Sequence, residues 1–530
     1  MSLLRSTRTM AVGTVASRGT GFLRTALLAA VLGVKGVALA FNVANTAPNI
    51  VYELLLGGIL TSVVVPLVVR AHKDGDGEAF VQRLLTLTVL VLGAASLLLV
   101  LLAPQIVDVY ISSSVEPATR DLAITFARFF LPQVLFYGIG AVLGAYLNTR
   151  GHFGPPMWAP VLNNLVVIGT LVVFALLPGP AALTSASITD TQVLVLGVGV
   201  TLGIVAQTVA LVPALRQTGL PLRLRFDLRG TGLGHAAQLA RWTLFYVLCN
   251  QLVLVVVLQL ASGSPADRGY PSYTYAFLLW QLPHAVVAVS VITALLPQMS
   301  SAAADGRLED LRRQLDRGLR LTISILVPAA VAYVVLGQPL ATLVFGHGET
   351  TVAQARFIGT LLAVFACGLV AFSSYQLQLR AFYAMQDTRT PALINLAVNA
   401  TTVLVDVALY VALPARWQVV GLAAGQASSY LVGVVVCTTV LAARVPRDPR
   451  GHVLRTAVRC LLAVAVPAGV AALVVHLSAE YAGTATTGAA VACVLGGAVL
   501  ASGYLALARR VRVAEVEQLL APVLGRLGRG

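Results

Sequence analysis

Residues 84–103 read LLTLTVLVLGAASLLLVLLA, an unbroken apolar stretch without a charged side chain. As a helix it would be about 30 Å long, which matches the hydrocarbon core of a bilayer. Similar stretches recur along all 530 residues, of which 58% are hydrophobic and only 11% are charged. A soluble domain carries about 25% charged residues. The composition therefore excludes an ordinary soluble enzyme and predicts an integral membrane protein.

Fourteen stretches of the chain are long and apolar enough to cross a membrane as helices. Their continuous apolar runs favour helices over a β-barrel, whose strands alternate over about ten residues. We therefore predict an all-α protein with fourteen transmembrane helices. The predicted spans are 9–34, 37–69, 84–110, 122–147, 158–178, 192–214, 237–262, 271–298, 319–345, 354–380, 390–413, 418–443, 456–478 and 485–508.

The basic residues are distributed unevenly between the two sets of predicted loops. The chain has 36 basic and 21 acidic residues, a net charge of +15. Of the basic residues, 28 fall in one alternating set of loops and 4 in the opposite set. Cytoplasmic loops are enriched in Lys and Arg, so both termini are predicted to be cytoplasmic. Topology explains the positive charge, and no nucleic-acid partner is expected.

No signature of catalysis or of a resident metal is found in the sequence. The five cysteines are far apart and show no metal-ligand spacing. Nucleotide-binding, zinc-protease and serine-hydrolase motifs are missing as well. We therefore predict a protein that is not an enzyme and has no cofactor. If it transports, a Na⁺ or H⁺ gradient or the membrane potential must supply the energy.

An internal repeat divides the chain. Pro48 and its helix echo Pro283, 235 residues later, and the Asn-Thr-Arg of 148–150 echoes the Asp-Thr-Arg of 387–389. Chance similarity among Leu-, Val- and Ala-rich helices is the alternative. The repeat predicts two pseudo-symmetric six-helix lobes around a central cavity, a geometry typical of one class of transporters. The predicted divisions are an N-terminal lobe at 1–230, a C-terminal lobe at 231–445, two further helices at 446–510 and a cytoplasmic tail at 511–530.

Two arginines lie inside the first predicted span. Arg18 would lie about 15 Å from Arg8 along a helix, near the middle of the membrane. Arg24 is nearer the end of the span, where snorkelling is the alternative explanation. Gly19 and Gly21 would serve as a hinge at which the helix bends or breaks. Arginine binds phosphate through paired, charge-assisted hydrogen bonds, so Arg18 and Arg24 are candidate anion-binding residues.

Further polar residues lie within later spans. Asn42, Asn45 and Asn49 share one face of the second predicted helix, and Glu53 extends that face by one turn. Interhelical hydrogen bonding is one reading of this face. The other is a substrate-binding cavity wall, in which Glu53 pairs with one of the arginines or relays a cation. Asp406, within the eleventh span, is a second candidate for ion coupling.

Several segments together resemble the MurJ/MviN family of lipid II flippases, which belongs to the multidrug/oligosaccharidyl-lipid/polysaccharide exporter superfamily. The chain is rich in arginine and poor in lysine, and in this composition it resembles actinobacterial members of the family. The similar segments are Ser17-Arg18, Gly21-Phe22, Arg24, Pro48-Asn49, Leu131-Pro132-Gln133, Asn148-Thr149-Arg150, the FGPPMWAPVLNN of 153–164 and Leu295-Leu296-Pro297.

The resemblance implies a specific activity. Such a protein moves undecaprenyl-pyrophosphate-linked peptidoglycan precursor from the inner to the outer leaflet of the bacterial plasma membrane by alternating access. A cationic cavity would hold the pyrophosphate, with Arg18 and Arg24 in the family's first-helix positions, and a groove at 446–510 would hold the lipid tail. The chain departs from the family at several charged positions. The places after Pro-Asn that are often basic in the family hold Tyr52 and Glu53 here, and other positions that carry charge in the family hold Thr25, Leu39, Gly57 and Leu278.

The expected partners are a lipid-linked anionic substrate, membrane lipids and cell-wall synthesis proteins, and the expected state is a monomer. Two other functions agree with the sequence. One is export of a drug or of another polyprenyl-linked glycan. The other is a scaffold for cell-wall enzymes that does not transport, which the uncharged positions would favour.

Overall fold

A computed structural model describes residues 3–55, 77–221, 223, 225–227, 233–446 and 451–517. Across these residues the secondary structure is helical, without a strand. Part of the second predicted span (56–69) and part of the predicted tail (518–530) lie outside the described residues. The chain divides into two compact units, Met1–Ala266 and Asp267–Gly530. The predicted lobe boundaries stay a prediction.

The first unit contains ten of the described helices. Helices α1, α7 and α8 pack in succession, and α2 packs on α5. The bounds are α1 (Leu3–Leu32), α2 (Gly36–Glu53), α3 (Gly77–Leu101), α4 (Ala103–Tyr110), α5 (Pro117–Phe130), α6 (Gln133–Thr149), α7 (Gly154–Leu176), α8 (Asp190–Val209), α9 (Val212–Gln217) and α10 (Leu233–Ser262).

The second unit contains nine described α-helices. Its longest helix, α13, packs on α14, α18 and α19, and α16 packs on α17. The bounds are α11 (Tyr270–Pro283), α12 (Val289–Ala304), α13 (Leu308–Phe345), α14 (Val352–Cys367), α15 (Leu369–Ala384), α16 (Arg389–Ala412), α17 (Gln418–Ala442), α18 (His452–Tyr481) and α19 (Thr486–Arg510).

Twelve helical segments among the described residues are long and apolar enough to cross a membrane. The pair α14 and α15, bent by 47° at Gly368, would make a thirteenth. This confirms a helical protein with many spans. The fourteenth stays a prediction, because the span at 37–69 is only partly described.

Prolines divide two of the predicted spans. The segment 84–110 is not one helix, since α3 ends at Leu101 and Pro104 lies at the start of α4. In the segment 122–147, α5 and α6 are separated by Leu131-Pro132. Proline has no N–H for the helical hydrogen bond and its ring clashes with the preceding turn, which accounts for both breaks.

The repeated prolines have similar local surroundings. Pro48 lies inside α2, and π-helical turns follow at 54–55. Pro283 ends α11, and a π-helical segment runs from His284 to Ala288 before α12 begins. Because proline interrupts the regular hydrogen-bond ladder, a wider π turn next to it is a common adjustment.

Candidate functional site

The first unit contains a polar cavity of about 400 Å³, including the part open to its surroundings. Five helices contribute to its lining: α1, α2, α6, α7 and α8. A polar cavity within membrane-crossing helices is unusual, because polar groups are costly in hydrocarbon. The lining residues are Arg24, Leu28, Phe41, Asn45, Asn49, Gln133, Tyr137, Asn163, Val167, Val200 and Ile204.

Arg24 is the cation of this cavity. Its Nε atom is buried and has no hydrogen-bond partner among the described residues. The described part of the lining contains no acidic residue that would neutralise the guanidinium. An arginine keeps its charge in proteins, so this part of the cavity is electropositive.

Two amide side chains in the lining also have unused hydrogen-bonding capacity. Gln133 is fully buried and donates to the Thr201 hydroxyl oxygen at 3.0 Å, but its Oε1 atom has no partner among the described residues. The Oδ1 atom of Asn163, another buried residue, is likewise without a partner in the described part of the chain. Buried polar atoms in proteins are normally satisfied, so these two indicate a site for water or a ligand.

The predicted polar face of α2 is only partly turned to this cavity. Asn45 and Asn49 line it. The Tyr137 hydroxyl donates to the Asn49 Oδ1 atom at 3.5 Å. Asn42 is not in the lining, and its side-chain amide donates to the Ala38 carbonyl oxygen one turn earlier at 2.7 Å.

Glu53 has a different partner from the one predicted. Its Oε2 atom accepts a hydrogen bond from the Gln251 side chain of α10 at 2.7 Å. No ion pair joins Glu53 to Arg18 or Arg24 in the described structure. The expected pairing with an arginine is therefore wrong for this conformation. A carboxylate can be satisfied by a neutral amide donor, which is what α10 supplies.

Helix α1 is continuous through the predicted hinge. Gly19 and Gly21 both lie within Leu3–Leu32, so the expected break is not seen in this conformation. The side-chain amide of Asn164 on α7 donates to the Ser17 carbonyl oxygen at 3.1 Å and to the Thr20 hydroxyl oxygen at 3.0 Å. These bonds hold α1 against α7 and fix the rotation of α1 about its axis. That rotation places Arg24 in the cavity.

Arg18 is separated from the cavity. Its side chain is exposed, and Arg18 is not part of the cavity lining. Six residues separate Arg18 from Arg24, which at 100° per residue places them about 120° apart around the helix. One helix face therefore cannot bring both guanidinium groups into the same small cavity.

Asp406 lies in the second unit, six residues before the end of α16. It is fully buried, and neither of its carboxylate oxygens has a hydrogen-bond partner among the described residues. Gly425 of α17 lies directly against the carboxylate, where an added Cβ atom would clash. An ionised carboxylate in such a place requires a bound cation, and otherwise it takes up a proton. The residue therefore fits either kind of coupling ion.

Sequence reasoning did not assign Gln133, Tyr137 and Asn163 to the site. Gln133 and Asn163 belong to segments that carry the family resemblance, and a polar side chain within an apolar span is itself a usable signal. Tyr137 carried no comparable signal, because tyrosines are frequent in membrane helices.

Comparison with known proteins gives a consistent result. The family model described as "Lipid II flippase MurJ" matches residues 28–490, a range that begins after Arg24. A probable lipid II flippase MurJ from Rhizobium meliloti is 28% identical over 412 residues, which cover 76% of this chain and 75% of the relative. The lipid II flippase MurJ of Burkholderia cenocepacia is 28% identical over 415 residues, covering 76% and 77%.

Solved structures show the same fold at lower sequence identity. A lipid II flippase MurJ in an inward closed conformation superposes with a TM-score of 0.75 at 18% identity, covering 95% of this chain and 99% of that one. An inward-facing multidrug resistance transporter of the MATE family, in the MOP superfamily, gives 0.64 at 15% identity, covering 80% and 95%.

Proposed function

Because the chain belongs to the family of the lipid II flippase MurJ, we propose that it moves lipid II from the inner to the outer leaflet of the bacterial plasma membrane. The family consists of transporters and not of enzymes. The uneven distribution of basic residues supports an orientation with both termini in the cytoplasm. Alternating access between two lobes is the expected route, and a monomer is the expected working unit.

The observation that carries the proposal is the half-buried side chain of Arg24, whose buried Nε atom has no hydrogen-bond partner among the described residues, in a cavity with no acid in the described part of its lining. Lipid II has a pyrophosphate that must pass the hydrocarbon core, and an uncompensated arginine lowers the cost of that passage. Arg24 would donate paired hydrogen bonds to the phosphate oxygens. Asn45 and Asn49 would contribute amide donors from α2. Arg18, about 9 Å away along the helix axis, would contact the anion at a different stage of its passage.

The same charge argues against export of a cationic drug. A cation that enters the cavity would meet Arg24 and no carboxylate among the lining residues that the structure describes. Repulsion between like charges is strong where little water screens it. If purified protein binds a small cationic drug and shows no affinity for lipid II, the drug-exporter alternative replaces this proposal.

The deciding experiment uses a bacterial strain whose own flippase is depleted. Arg24→Ala, Arg18→Ala and the double variant are expressed at matched levels in the membrane. We expect Arg24→Ala to abolish growth and to leave lipid-linked precursor on the cytoplasmic face, and Arg18→Ala to reduce flipping. Arg128→Ala is the matched control, since Arg128 is exposed and does not line the cavity. Normal growth with the double variant would discard the arginine site and favour a scaffold role.

We further propose that Asp406 couples transport to an ion gradient. A buried carboxylate without a partner is stabilised when it binds Na⁺ or H⁺, whereas a solvated carboxylate needs neither. The occupancy of Asp406 by the ion would therefore change when a conformational change exposes the carboxylate to water. Glu53 is the other candidate from the sequence. Its exposure and its hydrogen bond to Gln251 make it a weaker candidate than Asp406.

A further inference from the structure

A pocket in the second unit shares no lining residue with the sites discussed above. It has a volume of about 360 Å³, including the part open to its surroundings, and it lies where α13 and α18 end and α14 and α19 begin. Its polar lining consists of Gln338, Thr342, Arg356 and Thr484. The remaining wall is formed by small or apolar residues, namely Pro339, Val475, Ala479, Gly483, Gly488, Ala489 and Ala492.

Arg356 is an exposed residue, and its hydrogen bonds within the protein are long. Its Nε and Nη2 atoms donate only to the Gln338 Oε1 atom, at 3.4 and 3.3 Å. Both distances exceed the usual range of about 2.7–3.2 Å. No carboxylate among the described residues lies within ion-pair distance of this guanidinium. Glu480 of α18 is paired instead with His476, at 3.3 Å. A stronger acceptor than an amide oxygen would therefore be favoured at Arg356.

The pocket lies at helix ends, where lipid phosphates are expected. Arg356 lies four residues after the start of α14, about 6 Å from the helix end. Thr484 lies in the short connection between α18 and α19. The ends of membrane-crossing helices reach the headgroup region, which extends several ångströms beyond the hydrocarbon core.

Apolar side chains continue inward from the pocket along α18 and α19. They are exposed on the surface of the second unit, as expected for helices in contact with acyl chains. Leu473, Leu477, Val491, Val494 and Leu495 are 56%, 39%, 40%, 68% and 52% exposed, respectively. A ligand with a phosphate and two acyl chains therefore fits this surface better than free phosphate, which would use only the polar part.

We propose that this pocket binds the phosphate headgroup of a glycerophospholipid. Arg356 supplies a forked pair of N–H donors to the phosphate oxygens, and the Thr484 hydroxyl supplies a third donor. By the distribution of basic residues, the lipid would belong to the extracytoplasmic leaflet. The proposal does not depend on lipid II as the transported substrate.

Native mass spectrometry of the full-length protein tests the site. Phosphatidylglycerol is offered beside a diacylglycerol that has the same acyl chains and no phosphate. We expect wild-type protein to retain about tenfold more phosphatidylglycerol than diacylglycerol, as a charge-assisted contact would give. The preference for phosphatidylglycerol should be lost in Arg356→Gln. It should be retained in the control Arg416→Gln, which removes another exposed arginine that is predicted to lie on the same, extracytoplasmic side of the membrane. Equal retention of the two lipids by wild-type protein, or an unchanged preference in Arg356→Gln, would overturn the proposal.

Two further measurements make the interpretation specific. Arg356→Lys keeps the charge but not the planar fork, so it should retain an intermediate amount of phosphatidylglycerol. Inorganic phosphate added at the same concentration as the lipid should not release it. Release by inorganic phosphate would show that the pocket selects a free anion and would overturn the assignment to a membrane lipid.

Discussion

Two helix pairs, one in each unit, accommodate a buried polar side chain in the same way. In the first unit, Asn163 of α7 lies against Gly203 of α8. In the second, Asp406 of α16 lies against Gly425 of α17. An added Cβ at either glycine would collide with the amide or carboxylate oxygen. In each pair a glycine, which has no side chain, leaves room for a polar side chain on the neighbouring helix. The Asn163 Oδ1 atom and both Asp406 carboxylate oxygens have no hydrogen-bond partner among the described residues.

The two sites differ in charge. The cavity beside Asn163 contains the cation Arg24 and no acid among its described lining residues. Asp406 is a buried acid whose carboxylate oxygens have no hydrogen-bond partner in the described part of the chain. One packing arrangement can therefore serve opposite electrostatics. We infer that the first unit is suited to an anionic substrate and the second to a coupling cation.

The largest expected effect comes from reversing the charge in the first unit. Arg24→Glu would give both units a buried acid, and we expect the affinity for lipid II to fall by more than about 100-fold. Arg24→Gln should weaken binding less, because it removes attraction without adding repulsion. Titration of purified protein with lipid II measures the difference, with Arg128→Glu as the control. Equal affinities in the Glu and Gln variants would mean that charge does not govern this site.

The second prediction concerns Asp406→Asn, which removes the charge with little change in shape. Stimulation of flipping by an ion gradient should disappear. In sodium-free buffer at neutral pH the variant should be more stable than wild type by about 1 kcal/mol, because wild type must either bury an unpartnered charge or take up a proton, and the neutral amide requires neither. Unfolding of the detergent-solubilised protein measures this, and flipping in proteoliposomes measures the coupling.

Sodium distinguishes the two coupling ions in the same assay. A cation that binds only the folded state raises its stability by mass action. If sodium is the ion, it should stabilise wild type and not Asp406→Asn. If it stabilises neither while a proton gradient still drives flipping, the proton is the coupling ion. Unchanged gradient stimulation in the variant would remove Asp406 from the mechanism.

Much of the fold was predictable because a bilayer imposes a minimum length on apolar helices. The proline breaks before α4 and α6 were not predicted, since apolar length determines the number of spans and not where a span is interrupted. The separation of Arg18 from Arg24 was predictable in principle from helical periodicity. Which of the two faces the cavity depends on Asn164 of α7, whose contact with α1 joins residues nearly 150 positions apart.

The amide side chains of the cavity show what the sequence alone could not predict. Gln133 and Asn163 are visible as polar residues within apolar spans, but their positions around Arg24 result from the packing of α6 and α7 with α1. The expected partner of Glu53 was wrong for the same reason. Opposite charges in neighbouring spans suggested an ion pair, whereas the structure brings Gln251 of α10 to the carboxylate.

The third prediction tests the shared packing directly. Gly425→Ala and Gly203→Ala should each destabilise the protein by about 1–3 kcal/mol, because the new methyl group must displace a buried polar side chain. Gly497→Ala and Gly169→Ala are matched controls in α19 and α7. An added Cβ at Gly497 makes only an ordinary contact at 3.9 Å, and at Gly169 it meets nothing within 4 Å.

Each control should be neutral or slightly stabilising, since alanine favours a helix more than glycine does. Thermal unfolding of the four variants provides the comparison. If the Gly425 and Gly203 variants are as stable as their controls, the two glycines are not what admits the polar groups. The proposed similarity between the helix pairs would then lose its physical basis.

The smallest effect is expected at an exposed ion pair, which contrasts with the two unpartnered charges. The Arg120 Nε and Nη2 atoms donate to the Asp108 carboxylate at 2.7 and 2.9 Å. These hydrogen bonds hold the pKa of Asp108 below its usual value. Because the pKa of Asp108 is lower in the folded state than in the unfolded state, the ion pair stabilises the fold at neutral pH. This stabilisation is lost as the pH falls below about 4.

Asp108→Asn should nevertheless shift the unfolding temperature at pH 7 by no more than about 1 °C, because water and salt screen an exposed pair. Flipping should be unchanged, since Asp108 lies in α4, outside both polar sites. The comparison is informative because the exposed pair has good geometry, whereas Arg24 and Asp406 have no partner of opposite charge among the described residues. If Asp108→Asn impaired flipping as strongly as Asp406→Asn, burial without a partner would no longer identify the functional charges of this protein.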